Sequence, residues 1–299
     1  MQAISLITSL KVNKDAVNTF GIISSNNIIS ISSDGSITIF DGFLKIKQKI
    51  ENAHQGTIFD ISIKDENNFA TCSADKSIKT WNKTDANNFK LNNDIKDIHE
   101  DDIHKIIYLE DNSIISGSKD SKIKILKLIN KEYKCHVVLD HIAPVYSMLY
   151  IKENKLLISS GILHSSWWDL NDGINSLITK IDAFCYGKNA LQRIDKERII
   201  IGGREKLQIV SIKGKKIIKE IENDFLVWAI CIVEKKKLII CGGVSNNIAI
   251  FNSDNYDKIL VTNCHSKNIR GISLISNEKI ITGSEDKKTK IWRFINNKK

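Results

Sequence analysis

A unit of about 42 residues recurs along this chain, and no other sequence feature constrains its fold so tightly. The clearest copy is residues 264–294, CHSKNIRGISLISNEKIITGSEDKKTKIWRF. It holds His265, an apolar run from Ile269 to Ile275, a second run at Lys279–Ser284, Asp286 in a polar turn, and Trp292. Counting this copy, the third run of the unit ends at Phe40, Trp81, Leu126, Trp168, Val210, Phe251 and Trp292, at intervals of 41, 45, 42, 42, 41 and 41 residues. The interval from His to Asp is 21 residues in each of the pairs His54/Asp75, His99/Asp120 and His265/Asp286. The runs are short, rich in Ile and Val, and divided by polar turns such as Asp34-Gly35, with no helical period. A unit this small cannot bury its own apolar faces, so neighbouring units must stack on one another.

The pattern resembles the WD40 family: a His before the first strand, a Ser/Thr-Gly-Ser segment on the second, an Asp in the next turn and a Trp ending the third. The resemblance implies an all-β fold, a seven-bladed β-propeller of four-stranded antiparallel blades, over residues 1–299 as a single domain. The last repeat is one strand short, and the run at 4–10 (ISLITSL) has no neighbour of its own. Pairing these two closes the ring and removes a sheet edge. The polar segment Lys83–Asp97 reads as a protruding loop.

Composition narrows the functional classes. No stretch approaches the ~20 apolar residues of a membrane span, and MQAISLITSL lacks the basic start of a secretory signal. Six scattered Cys without a C-x-x-C pair argue for reduced, mainly buried thiols in the cytoplasm or nucleus rather than a disulfide or zinc framework. The net charge of +9 raises nucleic acid as a partner, but only five of the 44 basic residues are Arg, the fork that reads phosphate and base edges. Lys, Ile and Asn all have A/T-rich codons, so genome bias accounts for the charge. A ribonucleoprotein or chromatin subunit using a basic face is therefore the alternative, not the leading reading.

His54, Asp75 and Trp81 with Thr71 or Ser73, and His265, Asp286 and Trp292 with Thr282 or Ser284, carry the residue types of a hydrolase triad. In the family they resemble a buried structural tetrad. Residues two apart on a strand face the same way, so spacing does not choose the hydroxyl; Ser73 and Ser284 are the members expected here. Gly202-Gly203 and Gly242-Gly243 lack the rest of a phosphate loop, and His99 and His104, five apart, do not make a metal motif. Of the adjacent Trp167 and Trp168, the first is expected to face outward. The fifth residue after the repeat His resembles a position at the narrow top face beside the central channel. These equivalents are Asn18, Phe59, His104, Tyr146, Lys188 or Asn189, Ala229 and Arg270. An arc of Phe59, His104 and Tyr146 faced by Arg270, with Lys119 and Asp102 nearby, is the expected partner-binding surface. The chain thus reads as a monomeric, non-catalytic scaffold or adaptor without cofactor, binding other proteins or peptide segments within a complex.

Overall fold

The computed structural model describes residues 2–84, 88–171 and 176–296. Its strands form seven four-stranded antiparallel sheets. Blade 1 holds Val17–Ser24, Asn27–Ser32, Ile37–Phe40 and Ile46–Ile50, innermost strand first. Blade 2 holds Ile58–Asp65, Asn68–Ser73, Ile78–Lys83 and Phe89–Ile95. Blade 3 begins at Ile103–Tyr108, blade 4 at Ser147–Ile151, blade 5 at the short Leu191–Arg193, and blade 6 at Val227–Val233. Blade 7 combines Ile269–Ser276, Lys279–Ser284 and Lys288–Asn296 with Gln2–Lys11 as its outermost strand. The innermost strands contact one another in cyclic order, so the blades form a closed ring. Among the described residues the only helices are two single 3-10 turns, Lys152–Asn154 and Glu234–Lys236, and none is long and apolar enough to cross a membrane.

Each strand alternates its side chains between two faces, and both faces of a blade are covered by the blades beside it. Ile29, Ile31, Phe69 and Trp81 pack between blades 1 and 2, and Cys72, Ile78, Ile106 and Leu126 between blades 2 and 3. Val17, Phe20, Phe40 and Ile281 pack between blades 1 and 7. That two-sided burial explains Trp167, which is fully buried rather than outward-facing. It packs against blade 5, while Trp168 on the opposite face packs toward blade 3.

Two irregularities recur. In all seven blades the outermost strand carries an extra residue at the partner of the residue ending the third strand, as between Ile39/Phe40, Thr80/Trp81 and, across the closing pair, Leu6/Thr8. Such bulges add local twist. A second bulge opens the innermost strand of blades 1, 2, 3, 6 and 7, at Asn18, Phe59, His104, Trp228 and Arg270. The Lys83–Asp97 segment is not a loop: Phe89–Ile95 is the outer strand of blade 2, with Phe89 buried against Phe69. One buried aromatic outweighs the polar residues around it, and residues 85–87 of that segment lie outside the described ones.

Closure rests on the pairing of Gln2–Lys11 with Lys288–Asn296, in register from Gln2↔Asn296 to Lys11↔Lys288. Ile4 packs on the core between blades 6 and 7, and Ile7 and Leu10 on that between blades 7 and 1. Deleting residues 2–11 therefore removes these contacts, each below the ~1.5–3 kcal/mol of a fully buried side chain, and bares the edge at Lys288–Asn296. The expected result is a lower melting temperature and association by gel filtration. A monomer with unchanged melting would show that the ring does not depend on this pair.

Candidate functional site

The His-Asp sets lie inside the blades. In blade 2, His54 Nδ1 is 2.9 Å from Asp75 Oδ2, His54 Nε2 is 2.8 Å from Thr71 Oγ1, and Trp81 Nε1 donates to the same Thr71 oxygen at 2.9 Å. Blade 7 repeats this with His265, Asp286, Thr282 and Trp292 at 2.9, 2.7 and 2.9 Å. The proton directions follow from the inventory of donors. The carboxylate only accepts, so His Nδ1–H donates to it; Nε2 then accepts from the Thr hydroxyl, which accepts from Trp N–H. The hydroxyl members are thus Thr71 and Thr282, not Ser73 and Ser284. The Ser pair faces the same way one step nearer the turn, where each hydroxyl accepts the N–H of the Asp two residues on, at 3.0 Å for Asp75 and Asp286.

The other blades keep fragments of this network. Blade 3 has His99 between Asp120 and Ser116, both at 2.8 Å, with Leu126 in the Trp place. Blade 4 has Trp168 donating to Ser159 at 2.8 Å, while His141 donates to the Ala143 carbonyl. In blade 1, Asp34 accepts the Lys14 N–H and the Ser36 hydroxyl, and buried Asn13 stands where blades 2, 3, 4 and 7 have His. Asn13 precedes Asp34 by the same 21 residues, a signal that a search for His alone passes over.

Burial sets the direction for the His rings of this network but not for their Asp partners. It lowers the pKa of His54, His99 and His265 despite their Asp partners, so the rings are neutral in the fold. Burial also works to raise Asp75, Asp120 and Asp286, but the His partner and nearby N–H donors outweigh it and bring all three down.

The bulges of the innermost strands build a second, different site. A bulged residue leaves the alternation of its strand and turns its side chain toward the channel mouth. Asn18, Phe59, Trp228 and Arg270 line a cavity of about 210 Å³ there, together with Tyr146, Tyr186, Gly187, Lys188 and Asn189. His104 is the buried centre of the expected arc rather than part of its surface. It sits edge-on to Phe59 at 4.9 Å between ring centroids and stacks on Tyr146 at 5.0 Å. Burial, with Lys188 nearby, drops its pKa to about 3, so it is a neutral prop.

Arg270 is already engaged: its Nη2 and Nε meet Glu285 at 2.6 and 3.0 Å, and its guanidinium lies 5.3 Å from the centre of the Trp228 ring. Lys119 pairs with Asp101 at 3.4 Å, and Asp102 lies 3.9 Å from His104; neither Lys119 nor Asp102 lines the cavity. In blade 6 the lining residue is Trp228, not Ala229. Val227 and Ala229 are buried on either side of it, because the bulge falls on the residue between them. The sequence signal was Asn223, buried in the His place five residues before Trp228.

Blade 5 supplies Lys188 by an unusual route. Its innermost strand is only Leu191–Arg193, and the preceding residues run beside blade 6 instead, with Asn189 bridged to Ala229. Asn189 N–H donates to the Trp228 carbonyl at 3.2 Å, and the Asn189 carbonyl accepts from Ile230 N–H at 2.9 Å. Gly187 is required for this approach, since a Cβ there would collide with the Trp228 backbone. Below, buried Asp60 pairs with Lys105 at 3.0 Å, and Lys105 donates to Asn189 Oδ1 at 2.8 Å.

Comparison with known proteins agrees with this geometry. Residues 45–82 and 257–293 match the model of the WD domain, G-beta repeat, and they contain the two complete tetrads. The chain is a seven-bladed propeller, and two of its blades match WD40 repeats. Human apoptotic protease-activating factor 1 is 24% identical over 178 residues, a match covering 56% of this chain and 14% of that protein. The chain thus matches a small fraction of that relative's length.

Two outcomes test the buried network. Asp286→Ala leaves His265 Nδ1 and the N–H groups of Ser266 and Lys288 without their acceptor. A cost of about 1–3 kcal/mol in urea unfolding is expected, against about 0.5 kcal/mol or less for an ordinary surface change. For pH, a His whose folded pKa lies below its unfolded 6.5 gives stability that is present above pH 6.5 and lost as pH falls through the folded value. The urea midpoint should therefore fall between about pH 7 and pH 5, before the lowered Asp groups begin to protonate. A flat midpoint over that range would contradict the neutral-His network.

Proposed function

We propose that residues 1–299 act as one non-catalytic protein-interaction domain that binds a peptide segment of a partner protein at the channel mouth of the top face. The observation that carries this reading is the cavity at the start of the inner strands of several blades, walled by Phe59, Tyr146, Tyr186 and Trp228. Aromatic walls offer large contact area with few rotors to freeze, which suits a peptide side chain. The alternative chemistry, a Ser/His/Asp-type hydrolase, has weak support. Each Thr hydroxyl beside a His also takes the Trp N–H and is buried, out of reach of a substrate.

The test is affinity capture from the native source followed by calorimetry with the captured partner. Phe59→Ala removes one wall and should weaken binding by about 2 kcal/mol or more, the scale of an interface hot spot, with the melting temperature retained. Lys90→Ala, on the outer strand of blade 2, should change binding little. Normal binding by Phe59→Ala together with loss in Lys90→Ala would place recognition on the blade edges instead.

A further inference from the structure

Of the two cations that line the cavity, one is neutralised by a partner and one is not. Asp60 is met by Lys105 and Glu285 by Arg270. Lys188 has no hydrogen-bond or ion-pair partner for its amine among the described residues. Its Nζ lies 3.3 Å from the centre of the Phe59 ring, at the wall of the cavity. The position is held from three sides: Ser147 Oγ donates to the Lys188 carbonyl at 3.0 Å, Lys105 holds the Asn189 side chain, and the Trp228 strand holds the Asn189 backbone. The amine is therefore presented, not left to wander.

Building on the peptide-binding reading above, we propose that Lys188 receives a single carboxylate of the bound peptide, while a neighbouring apolar side chain of that peptide lies against Tyr146, Tyr186 and Trp228. Charge complementarity selects this occupant. One unpaired cation matches one monoanion. A phosphate dianion would call on Arg270 as well, and that guanidinium is already forked onto Glu285. The apolar half of the motif has a matching rim on the same end of the ring. Ile142, Ile162, Leu163 and Val244 are exposed on the turns of blades 4 and 6 where second strands end and third strands begin, or just before a first strand. These blades lack the His-Asp pairs that hold the equivalent turns of blades 2, 3 and 7.

The amine also has an unusual proton affinity. Burial, helped by the charge of Arg270, lowers Lys188 to about 7, against opposing pulls from Cys72, Asp102 and Asp60. His104, neutral and packed behind Phe59 and Tyr146, and Lys105, Tyr146 and Tyr186 are the other titratable groups around the cavity, and Glu285 is screened by Arg270. A carboxylate brought to the amine favours its charged form and raises this value. Binding then takes up a proton near neutrality. Affinity is greatest below about pH 7 and falls as pH rises from there to the pKa of the complex.

The experiment is carbon-13 NMR of the whole protein with reductively dimethylated lysines, Lys188 being assigned by the resonance missing in Lys188→Met. Four probes are titrated: the capped dipeptide amides Phe-Glu, Phe-Gln and Phe-phosphoserine, and acetyl-Phe-Ala with a free terminal carboxylate. The free resonance should titrate near pH 7, and one or both carboxylate probes should raise its midpoint by at least about one unit, a tenfold change in proton affinity. The larger rise identifies a side-chain or a terminal carboxylate as the source. Phe-Gln should leave the midpoint in place, and Phe-phosphoserine should raise it less than the better acid. An ordinary lysine midpoint, no rise with either acid, an equal rise with Phe-Gln, or a larger one with phosphoserine overturns the assignment. Should Phe59→Ala lose the captured partner while Lys188→Met keeps it at about pH 6.5, the top-face reading stands and the carboxylate assignment falls.

Discussion

Every sheet of this molecule has two apolar faces, and the only way to cover both is to give each blade a neighbour on either side. A row of blades would leave two faces bare at its ends. A ring leaves none, which is why closure by Gln2–Lys11 is part of the core and not a decoration at the rim. The same strand contributes to two inter-blade cores at once, so it ties the last blade to the one before it and to the first. The taper of the ring crowds side chains at the inner strands. On the second strands, Gly117, Gly202, Gly242 and Gly283 lie close against Val145, Val227, Ile269 and Val17 of the next blade.

Burial on both faces also sets how polar groups are used. A His-Asp pair under a turn is affordable in blades 2, 3 and 7 because each donor and acceptor finds a partner in one directed chain. In blades 5 and 6 that chain is absent, and the largest apolar cluster, running from Ile151 to Phe251, takes over the cohesion of the region. Apolar packing and a satisfied polar network are alternative solutions at the same position in the repeat, and a half-built network is worse than either. The fragments in blade 4 fit this picture: Trp168 keeps a hydroxyl partner, while the stacked rings of His141 and His164 each retain an Nε2 without one.

This division explains what could be read from the chain. The 42-residue spacing made the number of repeats legible, and the resemblance to WD40 repeats implied the antiparallel blades and the closing strand. The hydroxyl partner of His was not, because Thr71 and Ser73 share a strand face and differ only in their distance from the turn. Counting five residues on from a His reaches Phe59, Tyr146 and Arg270, which line the cavity, but in blade 3 it reaches His104, which is buried. The count failed where Asn223 replaced the His, shifting the sixth blade from Trp228 to Ala229. The state of each residue was not legible at all. That His104 is buried, and that Glu285 occupies Arg270, depend on contacts between segments far apart in sequence, to which a repeat pattern is blind.

Lys188 is where local and global preferences disagree. Asp60 and Glu285 are each met by a cation at the channel mouth, yet this one amine is kept against an aromatic ring without an ion-pair partner. Desolvating it opposes folding whenever it carries its proton, and replacement by an apolar residue would remove that cost. The backbone nonetheless departs from the regular repeat to place it there. The first strand of blade 5 is cut to three residues, Gly187 lets the chain pass against Trp228, and side chains from blades 3 and 4 fasten the segment. Departures from local consistency in an otherwise regular fold collect where function is exercised. A ring that needed only to stand would have no use for this one.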